Sequence, residues 1–195
     1  MHRRRVAASA VIAAGALVGT GGVVLHRGTA PHTVEVAGSP LRFDLPRDWK
    51  DTARVQDPTQ AWVVQAAEQQ GFTPQEYVQR LAASTRATTV GPPTGSRLQM
   101  VDVQDSGFAS LPSAAAVRSR LEGLHEQVVA SRTVPTAVGT AVVTRYQVPL
   151  GTETIAGDVV YVAVSGEVLA ITVSAARPDV LTPLTDQVLR SLRTG

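Results

Sequence analysis

The chain contains no cysteine, a single lysine (Lys50) and few aromatic side chains. Without cysteine it can form no disulfide and cannot carry the lipid of a lipoprotein, so any membrane attachment must come from the polypeptide itself. Of the four histidines, only His125 lies in the predicted domain, and one histidine without cysteine argues against a zinc site of the usual His/Cys kind. The chain has only three Phe, three Tyr and two Trp, so few large side chains are present to fill its interior. This is compatible with either a thin core or an apolar pocket.

A large excess of positive charge is also missing from most of the chain. Four of the 18 basic residues lie within the first 27 positions, and the 14 that remain face 16 acidic side chains. A surface with this balance does not attract nucleic-acid phosphates, so we expect no nucleic-acid partner. The 168 residues after position 27 are enough for one domain that buries its own core.

The N-terminus carries a long apolar run. Arginines at positions 3–5 precede the charge-free stretch 6–25, which as a helix spans about 30 Å, the thickness of a bilayer's hydrocarbon core. This placement of charge keeps the N-terminus in the cytoplasm and puts everything after Leu25 outside. We therefore predict a signal-anchor or signal peptide over 1–27. If it is retained, the protein is a single-pass membrane protein attached through residues 6–25, and if it is cleaved, the protein is secreted.

The rest of the chain divides into a tether and one domain. Residues 28–40 have mostly polar or small side chains, and we predict a tether there with a first strand over Thr33–Val36. The extracytoplasmic domain is predicted to be 41–195. It opens with a strand of alternating polarity, Leu41–Leu45, after which Trp49 is expected to turn back into the core.

Two helices are predicted from their N-terminal caps. Thr73 and Glu76 form a capping box around Pro74, and the helix they open is predicted to run to about Thr88. Ser113 opens a second helix with an apolar stripe made of Val117, Leu121, Leu124 and Val128, which ends before Pro135. The strands expected around these helices are Ala61–Ala67, which includes Trp62, and Arg97–Gln104.

The last third of the sequence predicts a β-meander and a closing helix. The first strand is expected to bury Val142, Tyr146 and Val148 on one face. The second, Val159–Val164, is apolar on both faces and is therefore expected at the centre of the sheet. The third, Val168–Ala175, is expected to bury alternate residues. Ser165-Gly166 is predicted to be a tight hairpin turn. A final helix from Pro178 is expected to bury Leu181, Leu184, Val188 and Leu192.

Residues with the chemistry for catalysis or metal binding are few in the predicted domain. Glu122 and His125 have Glu-x-x-His spacing on the second predicted helix, but the further carboxylates that a di-metal site requires are not apparent, so we interpret them, with Glu126, as a solvated surface group. Asp102 and Asp105 form a carboxylate pair, although Asp105 is expected in a turn. We therefore predict no enzymatic activity, no catalytic or metal-binding residues and no cofactor.

Candidate partner contacts are the polar loops Gly91–Arg97 and Gly151–Glu153 and the side chain of Arg145. Arg145 faces away from Val142 and Tyr146, so it either contacts a partner or pairs with a carboxylate. The sequence does not select one of these sites, and the partner-binding surface stays unknown.

The order of elements resembles a known family. The landmarks are Leu45-Pro46-x-x-Trp49, the capped helix at Tyr77, Val138–Ala141 at the start of a strand, and the closing helix with Arg190–Arg193. They are similar to the PsbP-like α/β/α sandwich, in the branch that includes LpqN-type cell-envelope proteins of high-GC Gram-positive bacteria. The fold class implied is α+β, an antiparallel β-sheet flanked by helices, here preceded by the N-terminal transmembrane or signal helix. LpqN-type members usually carry a lipid on cysteine, which this chain lacks.

Two functions from different classes follow from the resemblance and the composition. The resemblance implies a non-enzymatic accessory or adaptor domain that binds protein partners of a cell-envelope or secretion assembly. The alternative is an extracytoplasmic carrier that holds a lipid or small apolar ligand between a helix and the sheet.

Overall fold

The computed structural model describes residues 30–52, 57–60, 63–64, 67–68, 70–92, 99–150, 153–175 and 178–195. The strands are β1 His32–Glu35, β2 Leu41–Leu45, β3 Lys50–Asp51, β4 Thr85–Val90, β5 Met100–Asp105, β6 Gln127–Thr136, β7 Gly139–Leu150, β8 Glu153–Val164, β9 Glu167–Ala175 and β10 Arg193–Thr194. The helices are α1 Pro74–Ser84, α2 Ala114–Gly123 and α3 Pro178–Ser191.

The described residues form two antiparallel sheets. The larger has seven strands in the order β3-β4-β5-β9-β8-β7-β6, and the smaller has three in the order β1-β2-β10. The meander β7-β8-β9 is confirmed, and Ser165 and Gly166 turn it with φ of 52° and 85°, as a tight hairpin requires. The predicted membrane span 6–25 lies outside the described residues, and no helix among those described is long and apolar enough to cross a bilayer.

The seven-stranded sheet separates two apolar cores because successive side chains of a strand point to opposite faces. On one face, α3 and the small sheet pack against alternate residues of β9, namely Leu169, Ile171 and Val173. On the other face, α2 places Val117 and Leu121 over Tyr146, Val159 and Tyr161. The predicted arrangement, an antiparallel sheet between helical layers, is confirmed.

β1 lies within the segment 28–40 that the sequence predicts as a tether with a strand. It pairs with β2 from His32 opposite Leu45 to Glu35 opposite Arg42. Val34 and Val36 are buried in the α3-side core. Trp49 is 3% exposed in the same core, which confirms its predicted inward turn.

Helix α1 begins as predicted but ends earlier. The Thr73 hydroxyl accepts from the Glu76 backbone N–H at 3.2 Å, and the Glu76 carboxylate accepts from the Thr73 backbone N–H at 2.9 Å, so the capping box is complete. The prediction that the helix continues to about Thr88 is wrong, because the chain becomes strand β4 at Thr85. Three β-branched residues in a row, Thr88–Val90, favour this strand, and its pairing with β5 outweighs the helical tendency of the preceding residues.

Replacing Thr73 by Ala should lower the free energy of unfolding by about 1 kcal/mol, because the Glu76 backbone N–H loses its acceptor. Urea unfolding of the two proteins measures the difference. Gln79→Ala, an exposed change on the same helix, is the control and should stay within about 0.5 kcal/mol of wild type. An equal loss in both variants would contradict a capping role.

The prediction of a strand over Ala61–Ala67 is wrong. The described residues of this segment, 63–64 and 67–68, are helical, and the Val64 N–H donates to the Gln60 carbonyl oxygen at 3.0 Å. Val63 and Ala67, four residues apart, share a face that packs on Tyr77 and Leu81 of α1. Trp62 and Arg97, which the sequence placed on strands, lie outside the described residues.

Candidate functional site

The end of α2 differs from its prediction and creates the candidate site. The helix stops at Gly123, and the predicted continuation of its apolar stripe to Val128 is wrong because Val128 belongs to β6. The His125 N–H donates to the Glu122 carbonyl at 3.0 Å, and the Glu126 N–H donates to the Leu121 carbonyl at 3.0 Å. These two bonds, with His125 at φ 61°, form a Schellman motif that reverses the chain.

This reversal turns Glu126 into the protein. Its side chain is 4% exposed, so the interpretation of Glu126 as a solvated group is wrong. His125, by contrast, is exposed on the turn, and Glu122 pairs with Arg118 at 3.5 Å. The Glu-x-x-His spacing therefore does not form a joint site, since the helix that it assumes ends before His125.

Glu126 lines a small cavity between α2 and the sheet, which we call the α2 cavity. Its volume is about 40 Å³, room for one to three water-sized groups. Because the exposed Asp105 and the half-buried Leu124 belong to its lining, the cavity reaches the surface. The lining residues are Gln104, Asp105, Ser106, Arg120, Leu121, Leu124, Glu126, Tyr146, Val159, Tyr161, Ala170 and Thr172.

Several residues that line the α2 cavity carry buried polar atoms without hydrogen-bond partners. Among the described residues, four buried side-chain nitrogen or oxygen atoms make no hydrogen bond, and three of these belong to cavity residues: Gln104 Nε2, Glu126 Oε2 and Thr172 Oγ1. Gln104 and Thr172 are 4% and 1% exposed. An unpaired buried polar atom costs about 1–3 kcal/mol, so three around one cavity mark it as a place for a polar guest.

The ionisable side chains of the cavity are shifted by their burial. Burial raises the pKa of Glu126 to about 8, so its carboxyl group is mostly protonated and neutral at pH 7. Burial also raises the pKa of Tyr146 and of Tyr161, so both phenols stay neutral. Burial lowers the pKa of Arg120, but a guanidinium stays charged at neutral pH.

One wall of the cavity is held by a stack of side chains. The Arg120 guanidinium donates to the Ser106 carbonyl oxygen at 2.6 Å and lies 4.7 Å from the centre of the Phe108 ring. Phe108 in turn meets Tyr161 edge to face at 5.5 Å. These contacts place a positive charge at the cavity and restrict the movement of its wall.

The opposite wall depends on the close approach of Tyr146 to Gly157, its partner across β7 and β8. A Cβ atom on Gly157 would lie 2.6 Å from the Tyr146 hydroxyl oxygen and 2.7 Å from Cζ. Tyr146 is only 3% exposed, hence it cannot swing into solvent to make room.

Gly157→Ala should therefore destabilise the protein by about 1–3 kcal/mol, the usual cost of overpacking a core. Gly123→Ala is a matched control, because its Cβ would meet nothing within 4 Å. That variant should be as stable as wild type or up to about 1 kcal/mol more stable, since alanine favours a helix. Denaturant unfolding compares the three proteins, and a Gly157→Ala variant with wild-type stability would mean that the tyrosine ring moves freely.

The other sequence candidates do not form a joint site. Asp102 is fully buried and accepts a hydrogen bond from Thr88 at 2.7 Å, whereas Asp105 pairs with Arg86 at 2.8 Å. Arg145 pairs with a carboxylate, Asp158, which is the second of its two predicted roles. Within the described part of the chain, no three His, Cys, Asp or Glu side chains are grouped to hold a metal ion.

A second depression, which we call the β6 groove, lies on the α3 face of the sheet. It has a volume of about 260 Å³ and is lined by Ala130, Ser131, Arg132, Val143, Arg145, Asp158 and Thr182. Its charged side chains are all paired, either with one another or with a neighbouring residue. Arg145 donates two hydrogen bonds to Asp158, and Arg132 pairs with Asp186 at 3.0 Å.

No sequence pattern predicted the α2 cavity or the β6 groove. The Gly123 at the end of α2 is the local signal that could have indicated an early helix end and so the inward turn of Glu126. The loops Gly91–Arg97 and Gly151–Glu153, named above as candidate contacts, lie largely outside the described residues.

None of the protein-family models matches the chain, and no curated protein sequence matches it. Fourteen chains of solved structures are similar to it in fold. One is the solution structure of cyanobacterial PsbP (CyanoP) from Synechocystis sp. PCC 6803, with a TM-score of 0.53 and 11% sequence identity, covering 91% of this chain and 99% of CyanoP. The PsbP-like fold that the sequence predicts is therefore confirmed as a fold.

Proposed function

We propose that this protein is a non-enzymatic accessory protein of the cell envelope that binds an extended segment of a protein partner at the open edge of strand β6. In this proposal residues 1–27 hold the domain outside the cytoplasmic membrane, or direct its secretion if they are removed. The chain would then be a protein of LpqN type in which an apolar helix replaces the lipid anchor.

The open edge of β6 carries the proposal. β6 is the last strand of the seven-stranded sheet, and among the described residues its ten positions pair only with β7, on their inner side. An edge strand presents outward backbone N–H and C=O groups to which another strand can pair. The other outermost strands among the described residues are short: β3 and β10 have two residues each, and β1 has four.

Two features that protect an edge, a bulge and a proline, flank the middle of β6, and the charged side chain within it, Arg132, is paired with Asp186 at 3.0 Å. A bulge interrupts the pairing between Val128 and Ala130, and Pro135 stands near the far end. Val129, at the bulge, is 51% exposed. Between these points, residues 130–134 offer about five positions, a length typical of strand addition. Their side chains are mostly small, which lets a partner backbone approach.

The β6 groove adjoins this edge and could receive side chains of the added strand. Three consecutive residues of β6, Ala130–Arg132, form one wall of the groove. In strand addition, main-chain hydrogen bonds supply affinity and neighbouring pockets select alternate side chains. The groove contains Arg145 and Arg132, each beside a carboxylate, so it suits a partner with polar side chains at alternate positions.

The carrier alternative has less support. The α2 cavity lies between a helix and the sheet, where a carried lipid was expected, but its volume of about 40 Å³ is far below the several hundred Å³ that ligand pockets usually offer. Its lining also carries unpaired polar atoms, which an acyl chain would leave unsatisfied.

Site-specific photocrosslinking in the native membrane tests the proposal. A photoreactive phenylalanine at Ala130 should capture a defined envelope protein, whereas the same residue at the exposed Ser119 on α2 should not. Adding Thr133→Lys to the Ala130 probe should abolish the adduct, because a lysine on an edge strand opposes strand pairing.

Mass spectrometry of the adduct decides between the outcomes. One recurrent partner that depends on the β6 edge would support the proposal. Equal labelling from Ser119, an adduct unaffected by Thr133→Lys, or capture of lipid alone would overturn it.

A further inference from the structure

The α2 cavity has a chemistry of its own that strand addition at β6 does not use. We propose that it binds a carboxylate group, held by the Gln104 amide, the Thr172 hydroxyl and the Glu126 carboxyl group. This inference does not depend on the proposed function, because the cavity and the β6 groove lie on opposite faces of the sheet.

The first argument is the hydrogen-bonding capacity of the unpaired atoms. Gln104 Nε2 is a donor, the Thr172 hydroxyl can donate, and the Glu126 carboxyl group donates when protonated. A guest that satisfies all three must offer acceptors. A carboxylate has two oxygen atoms with four acceptor sites and no hydrogen of its own, whereas a water molecule brings two donors that need acceptors in turn.

The second argument is charge. Arg120 places a guanidinium at the cavity, while Glu126 is neutral at pH 7 because burial raises its pKa to about 8. Asp105, the other acidic residue of the lining, is paired with Arg86 at 2.8 Å. A guanidinium in the lining favours an anion over a cation.

The third argument is size. A volume of about 40 Å³ admits a group of about three heavy atoms, which corresponds to a carboxylate head. Since the cavity reaches the surface beside Asp105 and Leu124, the remainder of a larger acid could stay outside. The shared chemistry is thus a carboxylate from either a small acid or the C-terminus of a peptide.

Binding should depend on the protonation of Glu126. Above its pKa the ionised carboxylate loses its donor and repels the guest, so affinity should fall about tenfold between pH 6.5 and pH 9. The other charged or titratable groups around Glu126 are Arg120 from α2, Asp102 and Asp105 from β5, Tyr146 from β7, Tyr161 from β8, and the exposed His125 beside it. All of them are retained in Glu126→Gln, so their contribution is common to both proteins.

Acetate titration of the ¹⁵N-labelled full-length protein, followed by NMR, tests this inference. Sodium chloride at equal ionic strength is the control for salt. We expect saturable shifts at residues 104, 126 and 172, and an affinity at least fivefold weaker in Thr172→Val. Thr89→Val, the same change at a buried threonine on the opposite face of the sheet, should bind as wild type. At pH 9, where wild type binds acetate weakly, Glu126→Gln should still bind it with most of the affinity seen at pH 6.5.

Each result has a defined meaning. Unsaturable shifts, equal shifts with chloride, equal loss in Thr172→Val and Thr89→Val, or the same pH dependence in Glu126→Gln would overturn the proposal. Acetylalanine and its C-terminal amide distinguish the sources once acetate binds. If acetylalanine binds more tightly than acetate, the natural guest is a peptide C-terminus. If the two bind equally, it is a small acid.

Discussion

Replacing Arg145 by methionine is expected to lower the free energy of unfolding by about 3–5 kcal/mol, one of the largest single-residue effects in this protein. Arg145 meets Asp158 with two parallel hydrogen bonds, Nε to Oδ1 at 2.9 Å and Nη2 to Oδ2 at 2.8 Å. Asp158 is 1% exposed in the middle of β8. Methionine fills the space of the arginine stem but leaves this carboxylate buried without its counter-charge.

The remaining partner of Asp158 cannot replace the arginine. The Thr185 hydroxyl donates to Oδ2 at 2.7 Å, and one neutral donor stabilises a buried carboxylate far less than a bidentate guanidinium does. The unfolded state exposes Asp158 to water, so the cost of its burial falls entirely on the folded state.

Two further variants identify the cause of the loss. Adding Asp158→Asn to Arg145→Met removes the unpaired charge and should restore a large part of the lost stability. Arg132→Met breaks the surface pair with Asp186, in which both side chains are at least one-third exposed, and should cost no more than about 1 kcal/mol. Equal losses in Arg145→Met and Arg132→Met under urea unfolding would contradict the buried-charge argument.

The sequence predicted those parts of the fold whose signals are local. The Thr73–Glu76 capping box and the Ser165-Gly166 hairpin each depend on residues within four positions of one another, and both are confirmed. The closing helix is confirmed for a related reason. Its apolar residues recur every three or four positions, which fits a helix and not a strand, and Leu181, Leu184 and Val188 are buried as predicted.

The errors lie where distant pairing decides the local structure. Residues 85–90 follow α1 without a break, and they form β4 because β5, ten residues further on, supplies a partner strand for their β-branched side chains. Val128 has the correct spacing for the stripe of α2, but it faces the same apolar core from β6. A helical stripe and an alternating strand can both bury such a residue, so burial alone did not reveal the strand.

The candidate site was beyond sequence reasoning for the same physical cause. Gln104, Thr172 and Glu126 come from β5, β9 and the turn before β6, and only the order of strands in the sheet brings them together. The interpretation of Glu126 as solvated assumed a continuous helix. Because the helix ends at Gly123, three residues before Glu126, the chain reverses and buries the carboxyl group.

This burial makes Glu126→Gln the second large effect, and it should stabilise the protein. The pKa of Glu126 is about 8 in the folded state, against 4.5 for an exposed glutamate. Between these values the folded protein holds a proton that the unfolded chain has released, so stability falls as pH rises from 4.5 to 8. The difference amounts to about 3 kcal/mol at pH 7 and about 5 kcal/mol above pH 8.

Glutamine has the shape of the protonated acid and does not ionise, so the variant should not lose this stability. Wild type and Glu126→Gln are therefore expected to be about equally stable at pH 4, and the variant should become more stable as pH rises to 8. Glu122→Gln, on an exposed side chain paired with Arg118, should follow wild type at every pH. Urea unfolding at pH 4, 7 and 9 measures all three. A constant difference between wild type and Glu126→Gln across this range would show that the carboxyl group ionises normally in the folded protein, and so that it is accessible to water.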